Sequence, residues 1–331
     1  MTELNWMQEY AAAEAVELQQ EGQLTRREML VRLVAICGTT SAATAFLASC
    51  SADTATSTSS ASTSAPAGAT SAPAATTGTA AAAGGASTPP TSGGPGHILS
   101  VAVTDPGVQA GPVTFSGPTS TMLGYFAQPA AVGKYPGVIV NHEIFGLTDH
   151  IRDVARRLAK IGYLALAVDL VSRAGGTDKP GVNISGALTQ GKVEDRVADL
   201  DAGVTFLEAQ PNYNGKLGVI GFCFGGGMTL SFAAANDKVL AAVPYYGPTP
   251  QPASTMSATK AAILAQYGGT DARVNGGIPD LEAALAGKTF EKKIYDGAGH
   301  AFNNDTGGAY NEAAAVQAWT ATTDWLRKYL H

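Results

Sequence analysis

Short apolar runs alternate with longer amphipathic stretches from residue 97 to residue 331 of the chain. Runs rich in Val, Ile and Leu and bounded by glycine predict buried strands, and apolar residues recurring every three or four positions predict helices. The predicted strands span residues 98–103, 122–128, 137–141, 163–168, 217–220, 239–246, 262–267 and 290–295. The predicted helices span residues 149–161, 192–209, 228–235 and 309–329. This alternation predicts an α/β domain over residues 97–331, with two antiparallel opening strands and then a mostly parallel central sheet flanked by helices.

The overall composition excludes several classes of protein. The 331 residues suffice for one large α/β domain and an additional segment. A net charge of −6, without a basic stripe, argues against a nucleic-acid partner. Because the three cysteines lie in three different kinds of segment, we expect no disulfide framework among Cys37, Cys50 and Cys223.

The first 49 residues have the features of a signal peptide. Residues 1–24 are polar, with an acidic, alanine-rich middle that favours a weak helix. The motif Thr-Arg-Arg-Glu-Met-Leu at 25–30 resembles the twin-arginine export motif, and a mildly apolar run follows it through Leu47. Leu-Ala-Ser-Cys at 47–50 resembles a bacterial lipobox, which implies cleavage before Cys50 and a lipid on that cysteine. A plain transmembrane helix in which Cys50 has no role is the alternative.

The following segment, residues 50–96, consists almost entirely of Ser, Thr, Ala, Gly and Pro. Such a composition has almost no apolar surface to bury, so we predict a disordered tether. The signal peptide and the tether together predict an extracytoplasmic bacterial protein that is anchored to a membrane through Cys50, at the periplasmic face or the cell surface.

The predicted strand at 217–220 leads into a glycine-rich turn around Cys223. Gly221-x-Cys223-x-Gly225 between a strand and a helix has the form of a nucleophile elbow, with cysteine in place of serine. The glycines leave room for a strained turn, and the N-terminal end of the following helix stabilises a thiolate or an oxyanion. No Lys-Ser or Lys-Thr pair follows the glycines and no G-x-G-x-x-G is present, so both phosphate-loop patterns fail. A small buried cysteine without chemistry is the other interpretation.

Two further polar residues follow predicted strands closer to the C-terminus. Asp271 comes after the strand at 262–267, and His300 comes after the strand at 290–295. In parallel sheets such positions lie at the carboxyl edge, where ligands bind. The order Cys223, Asp271, His300 is the nucleophile–acid–histidine order of α/β hydrolases. We therefore predict an α/β-hydrolase fold with a triad in which His300 exchanges a proton with Cys223 and Asp271 fixes the histidine tautomer.

Four stretches together resemble the dienelactone hydrolase family, whose type activity is carboxymethylenebutenolidase. They are His-Glu-Ile-Phe-Gly at 142–146, Ile-Arg-Asp-Val-Ala-Arg-Arg-Leu at 151–158, Gly-Phe-Cys-Phe-Gly-Gly at 221–226 and Gly-His at 299–300, within a resemblance that extends over residues 115–331. The resemblance implies attack of Cys223 on an ester or lactone carbonyl and hydrolysis of the resulting thioester, without a cofactor. It also implies that Glu143 holds the cysteine neutral until substrate binds, and that the backbone N–H groups of Ile144 and Phe224 form the oxyanion hole.

Family members that cleave dienelactone grip the substrate carboxylate with two arginines, and this sequence matches one of them. Arg173 matches the first, whereas Asn304 stands at the second position, four residues after the histidine. An amide does not replace a bidentate arginine, so a neutral or differently charged small-molecule ester or lactone is expected. A solvated loop arginine is the alternative role for Arg173. Three aromatic residues are candidate pocket walls, although such positions are equally typical of a core: Phe145, Tyr246 and Phe302.

Two functions remain open from the sequence. The first is a membrane-tethered ester or lactone hydrolase with no cofactor and no metal, since the His142-Glu143 pair lacks the second histidine of the His-Glu-x-x-His zinc motif. The second is a non-catalytic binding lipoprotein that keeps the hydrolase fold. The incomplete arginine pair favours the second function, and the complete triad and elbow favour the first.

Overall fold

An eight-stranded sheet lies at the centre of residues 99–331 in a computed structural model that describes residues 4–20, 24–56 and 99–331. The strands are β1 (Val108–Ser116), β2 (Thr121–Pro129), β3 (Tyr135–Asn141), β4 (Leu164–Asp169), β5 (Tyr213–Phe222), β6 (Val239–Tyr245), β7 (Ala262–Gly268) and β8 (Phe290–Tyr295). Their order across the sheet is β1-β2-β4-β3-β5-β6-β7-β8. The β1–β2 and β2–β4 pairs are antiparallel, and the pairs from β4 through β8 are parallel. The predicted fold class, a mostly parallel sheet preceded by antiparallel strands, is confirmed.

Helices flank this sheet, and three further helices precede it in the chain. The α-helices are α1 (Trp6–Gln20), α2 (Arg26–Cys37), α3 (Thr40–Thr56), α4 (Asp149–Lys160), α5 (Ile184–Thr189), α6 (Val193–Glu208), α7 (Phe224–Ala235), α8 (Ala272–Asn275), α9 (Ile278–Ala284) and α10 (Glu312–Leu330). Helices α4, α6, α7 and α10 contact the strands. Strand β4 is buried along its whole length, as expected for a continuous apolar run that helices cover on both faces.

The prediction of a strand at 98–103 is wrong, because the antiparallel partner of β2 is β1 at Val108–Ser116. Within this segment, Val101 pairs its backbone groups with side chains of α4 instead of a neighbouring strand. The Val101 N–H donates to Asp153 Oδ1 at 2.8 Å, and Arg156 Nε donates to the Val101 carbonyl at 2.7 Å. In the sequence, a proline at position 112 obscures the alternation of β1, and proline is tolerated there because β1 is the edge strand.

The N-terminal region forms helices that pack on the domain. Helix α1 lies where the sequence favoured a weak helix, and it buries Met7, Ala11, Ala12 and Ala15. Helix α2 begins with a reciprocal capping box between Thr25 and Glu28, and it buries Met29, Leu33 and Ile36. Residues 50–56 of the predicted tether continue α3 as helix, whereas residues 57–96 lie outside the described residues.

None of the described helices has, by itself, both the length and the apolar character that a membrane crossing requires. Helix α2 and the Thr40–Ala48 part of α3 meet them jointly, but the two axes are bent by 111° relative to each other.

A buried network of charged side chains joins α4 to the loop that follows β8. Asp153 accepts hydrogen bonds from Arg156 and Arg157, and Arg157 also pairs with Asp305. Asp305 in turn accepts from Nδ1 of His150 at 3.1 Å. Burial would raise the pKa of Asp305, but the hydrogen bond from His150 and the Arg157 charge more than offset it, so the pKa lies well below its usual range. The network holds in place the same loop that carries His300 and Asn304.

We expect Asp305→Asn to lower the free energy of unfolding by about 2 kcal/mol. The buried guanidinium of Arg157 loses its charged partner at position 305 and keeps the one at Asp153. The depressed pKa means that this carboxylate stabilises the fold above the ordinary aspartate pKa and loses that effect as the pH falls. The unfolding free energy of the variant should therefore depend less on pH in the acid range. Chemical denaturation over a pH series measures both effects.

The matched control is Asp324→Asn, which removes an exposed carboxylate paired with Arg327 on α10. This control should leave the unfolding free energy unchanged. Equal effects of the two substitutions would contradict the assignment of the network as a stabilising link.

Candidate active site

Cys223 occupies a strained turn between β5 and α7. Its backbone has φ +56° and ψ −123°, a left-handed conformation that non-glycine residues rarely adopt. A Cβ atom on Gly221 would collide with the Gly225 carbonyl, and one on Gly225 would collide with the Asn141 carbonyl. The strand, the sharp turn and the helix that begins at the next residue have the geometry of a nucleophile elbow.

Asp271 and His300 meet at the carboxyl edge of the same sheet. Asp271 follows β7, His300 follows β8, and His300 Nδ1 lies 2.6 Å from Asp271 Oδ2. Burial alone would raise the pKa of Asp271, but the hydrogen bond and charge of His300 lower it below its usual value. For His300 the directions are reversed: burial alone would lower its pKa, but the hydrogen bond to Asp271 raises it above its usual value. The pair therefore favours a histidine whose Nδ1 carries a proton and whose Nε2 is directed away from Asp271.

The thiol of Cys223 contacts two side chains of α1. Cys223 Sγ donates to Glu14, at 3.1 Å from Oε1 and 3.2 Å from Oε2. The Tyr10 hydroxyl lies 3.6 Å from Sγ and 3.4 Å from Nε2 of His300, so it bridges the two atoms between which a proton would pass. Burial, followed by the negative charge of Glu14, raises the pKa of Cys223 well above its usual value. The thiol is thus neutral in this arrangement.

Glu143 lies close to the thiol but has a different hydrogen-bond partner. Its Oε2 accepts from Asn304 Nδ2 at 2.8 Å, and its Oε1 has no hydrogen-bond partner among the described residues. Burial raises the pKa of Glu143. The charge of Glu143 raises the pKa of Cys223, but Glu14 is the carboxylate that accepts the thiol hydrogen bond.

The loop after β3 is held by a neutral histidine. Nε2 of His142 accepts from the Leu170 N–H at 3.1 Å, so Nδ1 carries the proton and donates to the Glu143 carbonyl at 2.7 Å. Burial lowers the pKa of His142, which agrees with the neutral form. Next in this loop is the buried Ile144, the predicted donor of one oxyanion-hole N–H. The other predicted donor, Phe224, is the first residue of α7, where an N–H has no acceptor within its own helix.

The predicted substrate-binding residues separate into two groups. Phe145 lines the cavity above Cys223, as does Asn304. Arg173 does not line that cavity, and its Nε and Nη2 atoms each lie 2.9 Å from an oxygen of Asp199. Two of the predicted pocket aromatics, Tyr246 and Phe302, are fully buried in the core. The Tyr246 ring packs against both the His300 ring and the Phe302 ring.

Residues of α1 were not predicted to lie at the site. Tyr10 and Glu14 both touch it, and Glu17 lines the cavity above Cys223. Their spacing of four and three residues places them on one face of a helix, which is the only sequence signal that could have found them. Glu14, Cys223 and His300 also present one donor atom each within 4.8 Å of one another, a mixed oxygen, sulfur and nitrogen set of the kind that binds zinc. In the structure these groups are hydrogen-bonded to protein partners, including Tyr10 and Asp271.

Comparisons with known proteins identify the family of the chain. The sequence profile described as "Dienelactone hydrolase family" matches residues 122–330. A Methylorubrum extorquens protein named "Putative carboxymethylenebutenolidase" is 36% identical over 247 residues, which cover 70% of this chain and 84% of that protein.

Two solved structures share the fold. One is a "Putative Dienelactone Hydrolase" from Klebsiella pneumoniae, 32% identical with a TM-score of 0.63, where the match covers 67% of this chain and 99% of that one. The other is a dienelactone hydrolase-like promiscuous phosphotriesterase from metagenomic libraries, 26% identical with a TM-score of 0.61, matched over 68% of this chain and 100% of that one. With its profile match, its relatives and its elbow at the sheet edge, the chain belongs to the dienelactone hydrolase family.

Proposed function

We propose that this hydrolase cleaves carboxylic esters or lactones with a Cys223–His300–Asp271 triad through a thioester intermediate. The observation that carries the proposal is the position of Cys223 on a strained elbow, at the sheet edge where His300 is bound to Asp271. A ring nitrogen of His300 lies within 4.8 Å of Cys223 Sγ, and removal of the intervening Tyr10 hydroxyl would leave the two groups facing each other.

Each proton in the proposed reaction has an acceptor and a donor. His300 takes the thiol proton as Cys223 Sγ forms a bond to the carbonyl carbon, and the oxyanion is stabilised by the N–H groups of Ile144 and Phe224. The imidazolium then protonates the departing alcohol oxygen as the C–O bond breaks. Water, deprotonated by the same histidine, attacks the thioester carbonyl. As the C–S bond breaks, the imidazolium returns its proton to Sγ, which restores the thiol and releases the carboxylic acid. Asp271 holds the Nδ1 proton and stabilises the imidazolium in both steps.

The charges around the cavity favour a neutral substrate. Asn304 is bound to Glu143, and Arg173 is paired with Asp199, so neither of the two positions expected to grip a carboxylate presents a free guanidinium. Glu143 adds a buried acidic group. At these two positions a substrate carboxylate would find no compensation for its lost hydration, which a neutral ester or lactone does not need.

The proposed location is outside the cytoplasm, with a lipid on Cys50 as the membrane anchor. In support, the paired arginines of the export-like motif, Arg26 and Arg27, are both exposed at the start of α2. Exposure makes them accessible to an export receptor.

The non-catalytic binding lipoprotein has less support. A protein that only binds ligands would have no need for a cysteine in a strained backbone conformation or for a histidine fixed by a buried carboxylate. The strained conformation costs stability, and both features serve a nucleophile.

We expect Cys223→Ala to abolish hydrolysis of activated esters and lactones, because no other group occupies the elbow. The assay uses residues 97–331, since a domain of this extent forms an entire protein in the Klebsiella structure. The panel pairs neutral with carboxylate-bearing lactones, and we expect kcat/KM to be at least about tenfold higher for the neutral members. Residual turnover by Cys223→Ala would eliminate this nucleophile, and a preference for acidic lactones would contradict the charge argument.

We expect Asp271→Asn to lower kcat by on the order of 10³-fold or more. The Asp271 carboxylate raises the pKa of His300, so its removal lowers that pKa. Activity that requires neutral His300 rises as the pH increases through the pKa of the histidine. A lower pKa in the variant should therefore move the acid limb of the pH–rate profile to lower pH. Asp324→Asn, at an exposed site on α10, serves as the control. An unmoved acid limb would show that Asp271 does not act through His300.

Cys50→Ser in the full chain should abolish lipid labelling and release the protein from the bacterial membrane fraction. Cys37→Ser is the matched control, because Cys37 lies outside the lipobox-like motif and should leave labelling unchanged. Fractionation of cells grown with a labelled fatty acid measures both. Wild-type protein found unlabelled in the cytoplasm would refute the proposed location.

A further inference from the structure

Helix α1 covers the cleft that contains the proposed nucleophile. Tyr10 and Glu14, one helical turn apart, both reach Cys223, and both are buried at 9% and 3% exposure. The cavity that remains above Cys223 has a volume of about 90 Å³. Ligand pockets are typically about 300 Å³ or larger, so a substrate and α1 cannot occupy this cleft together.

The charges of α1 complement those of the rim of the cleft. Glu17 Oε2 lies 2.7 Å from Nε of Arg273, a residue of α8 that is close in sequence to Asp271. The guanidinium of Arg273 also lies over the Tyr10 ring, 4.4 Å from its centroid. One face of α1 thus places a phenol and two carboxylates against a thiol, a histidine and an arginine.

Contacts on both sides of the cleft hold the N-terminal segment in place. Asn5 Nδ2 donates to the Thr189 carbonyl at 3.1 Å, and Gln190 Nε2 donates to the Ala35 carbonyl at 2.8 Å. The Arg32 guanidinium lies 4.9 Å from the ring centroid of Phe145, which is a wall of the cavity. Helices α1 and α2 are therefore docked on the domain at α5 as well as at the nucleophile.

We propose that the cleft around Cys223 is a binding site for the acidic helical segment 6–20, which acts as an internal inhibitor until it is detached. The inhibition rests on the proposed hydrolase function, whereas the binding of the segment to the cleft does not. The ligand class is an acidic helix that carries a tyrosine and two glutamates on one face.

Two physical effects make the bound segment inhibitory. Glu14 accepts the thiol hydrogen bond and adds negative charge beside Sγ, which opposes formation of the thiolate. The Tyr10 hydroxyl stands between Sγ and Nε2 of His300 and prevents the direct contact through which the histidine would take the thiol proton. Cleavage before Cys50, as predicted from the sequence, would separate α1 and α2 from the domain and so allow their release. The segment would then keep the hydrolase inactive until that processing step.

The test measures access to Cys223 in the full chain. Replacing Cys37 and Cys50 with serine leaves Cys223 as the only cysteine, and its alkylation by iodoacetamide is followed over a pH series. In this background, Tyr10→Ala/Glu14→Ala should raise the alkylation rate near neutral pH by about tenfold or more, since each unit of lowered thiol pKa gives ten times more thiolate. Glu9→Ala, at an exposed position of α1, is the matched control and should change nothing.

A second variant isolates the charge of Glu14. Glu14→Gln keeps the shape of the side chain, so the midpoint of the pH profile should move to lower pH even if α1 stays docked. The groups that face Cys223 and set this midpoint are Glu14, Tyr10, Glu143 and His300. A role of Glu14 in helix stability alone would leave the midpoint unmoved. This variant also keeps the test decisive if the double substitution unfolds the protein.

Ester hydrolysis by the same proteins separates this proposal from the proposed function. Faster alkylation together with faster hydrolysis in the α1 variants would support both. Faster alkylation without any hydrolysis would support the binding site and reject the hydrolase. Identical alkylation profiles for the parent chain, the double variant and Glu14→Gln would overturn the proposal, whatever the hydrolysis rate.

Discussion

The conformation of one residue, Cys223, imposes the main constraint on the site. A positive φ angle at a non-glycine residue costs on the order of 1–3 kcal/mol, and only dense packing around it can maintain such an angle. Gly221 and Gly225 supply that packing, because each lies in contact with backbone where no side chain fits. The strain places Sγ at the sheet edge and leaves the first N–H groups of α7 free to bind an anion.

The sheet brings residues that are distant in sequence together in one cluster. Parallel strands end at the same edge, so loops after β3, β5, β7 and β8 bring together Glu143, Cys223, Asp271 and His300. The buried charges of α4 then fix the loop after β8 through Asp305. Asn304, in the same loop, holds Glu143 by a hydrogen bond instead of meeting a substrate as a charged group. Asn304 therefore supports the Glu143 carboxylate without adding a charge to the cavity.

Burial and neighbouring carboxylates control the ionisation of the Cys223 thiol both with and without α1. Burial favours the neutral thiol, and any carboxylate beside Sγ favours it further, so acidic groups at this position restrain reactivity. Glu143 belongs to the domain and cannot leave, whereas Glu14 is carried by a helix at the start of the chain. In the proposed inhibition, cleavage before Cys50 would remove the Glu14 restraint once and leave that of Glu143 in place.

Local sequence determined most of the strands and the candidates for the catalytic triad. The strand predictions matched seven of the eight strands, and strands such as β4 are apolar because they are buried on both faces. The glycines around Cys223 together with the order of Asp271 and His300 identified the triad candidates. Tertiary structure decided what depends on partners distant in the chain. The Val108–Ser116 strand was recognisable only from its pairing with β2, and Arg173 proved to be committed to Asp199. Likewise, nothing local in a polar N-terminal segment indicates that Tyr10 and Glu14 contact a thiol more than 200 residues away, since such contacts arise only when the chain folds back on itself.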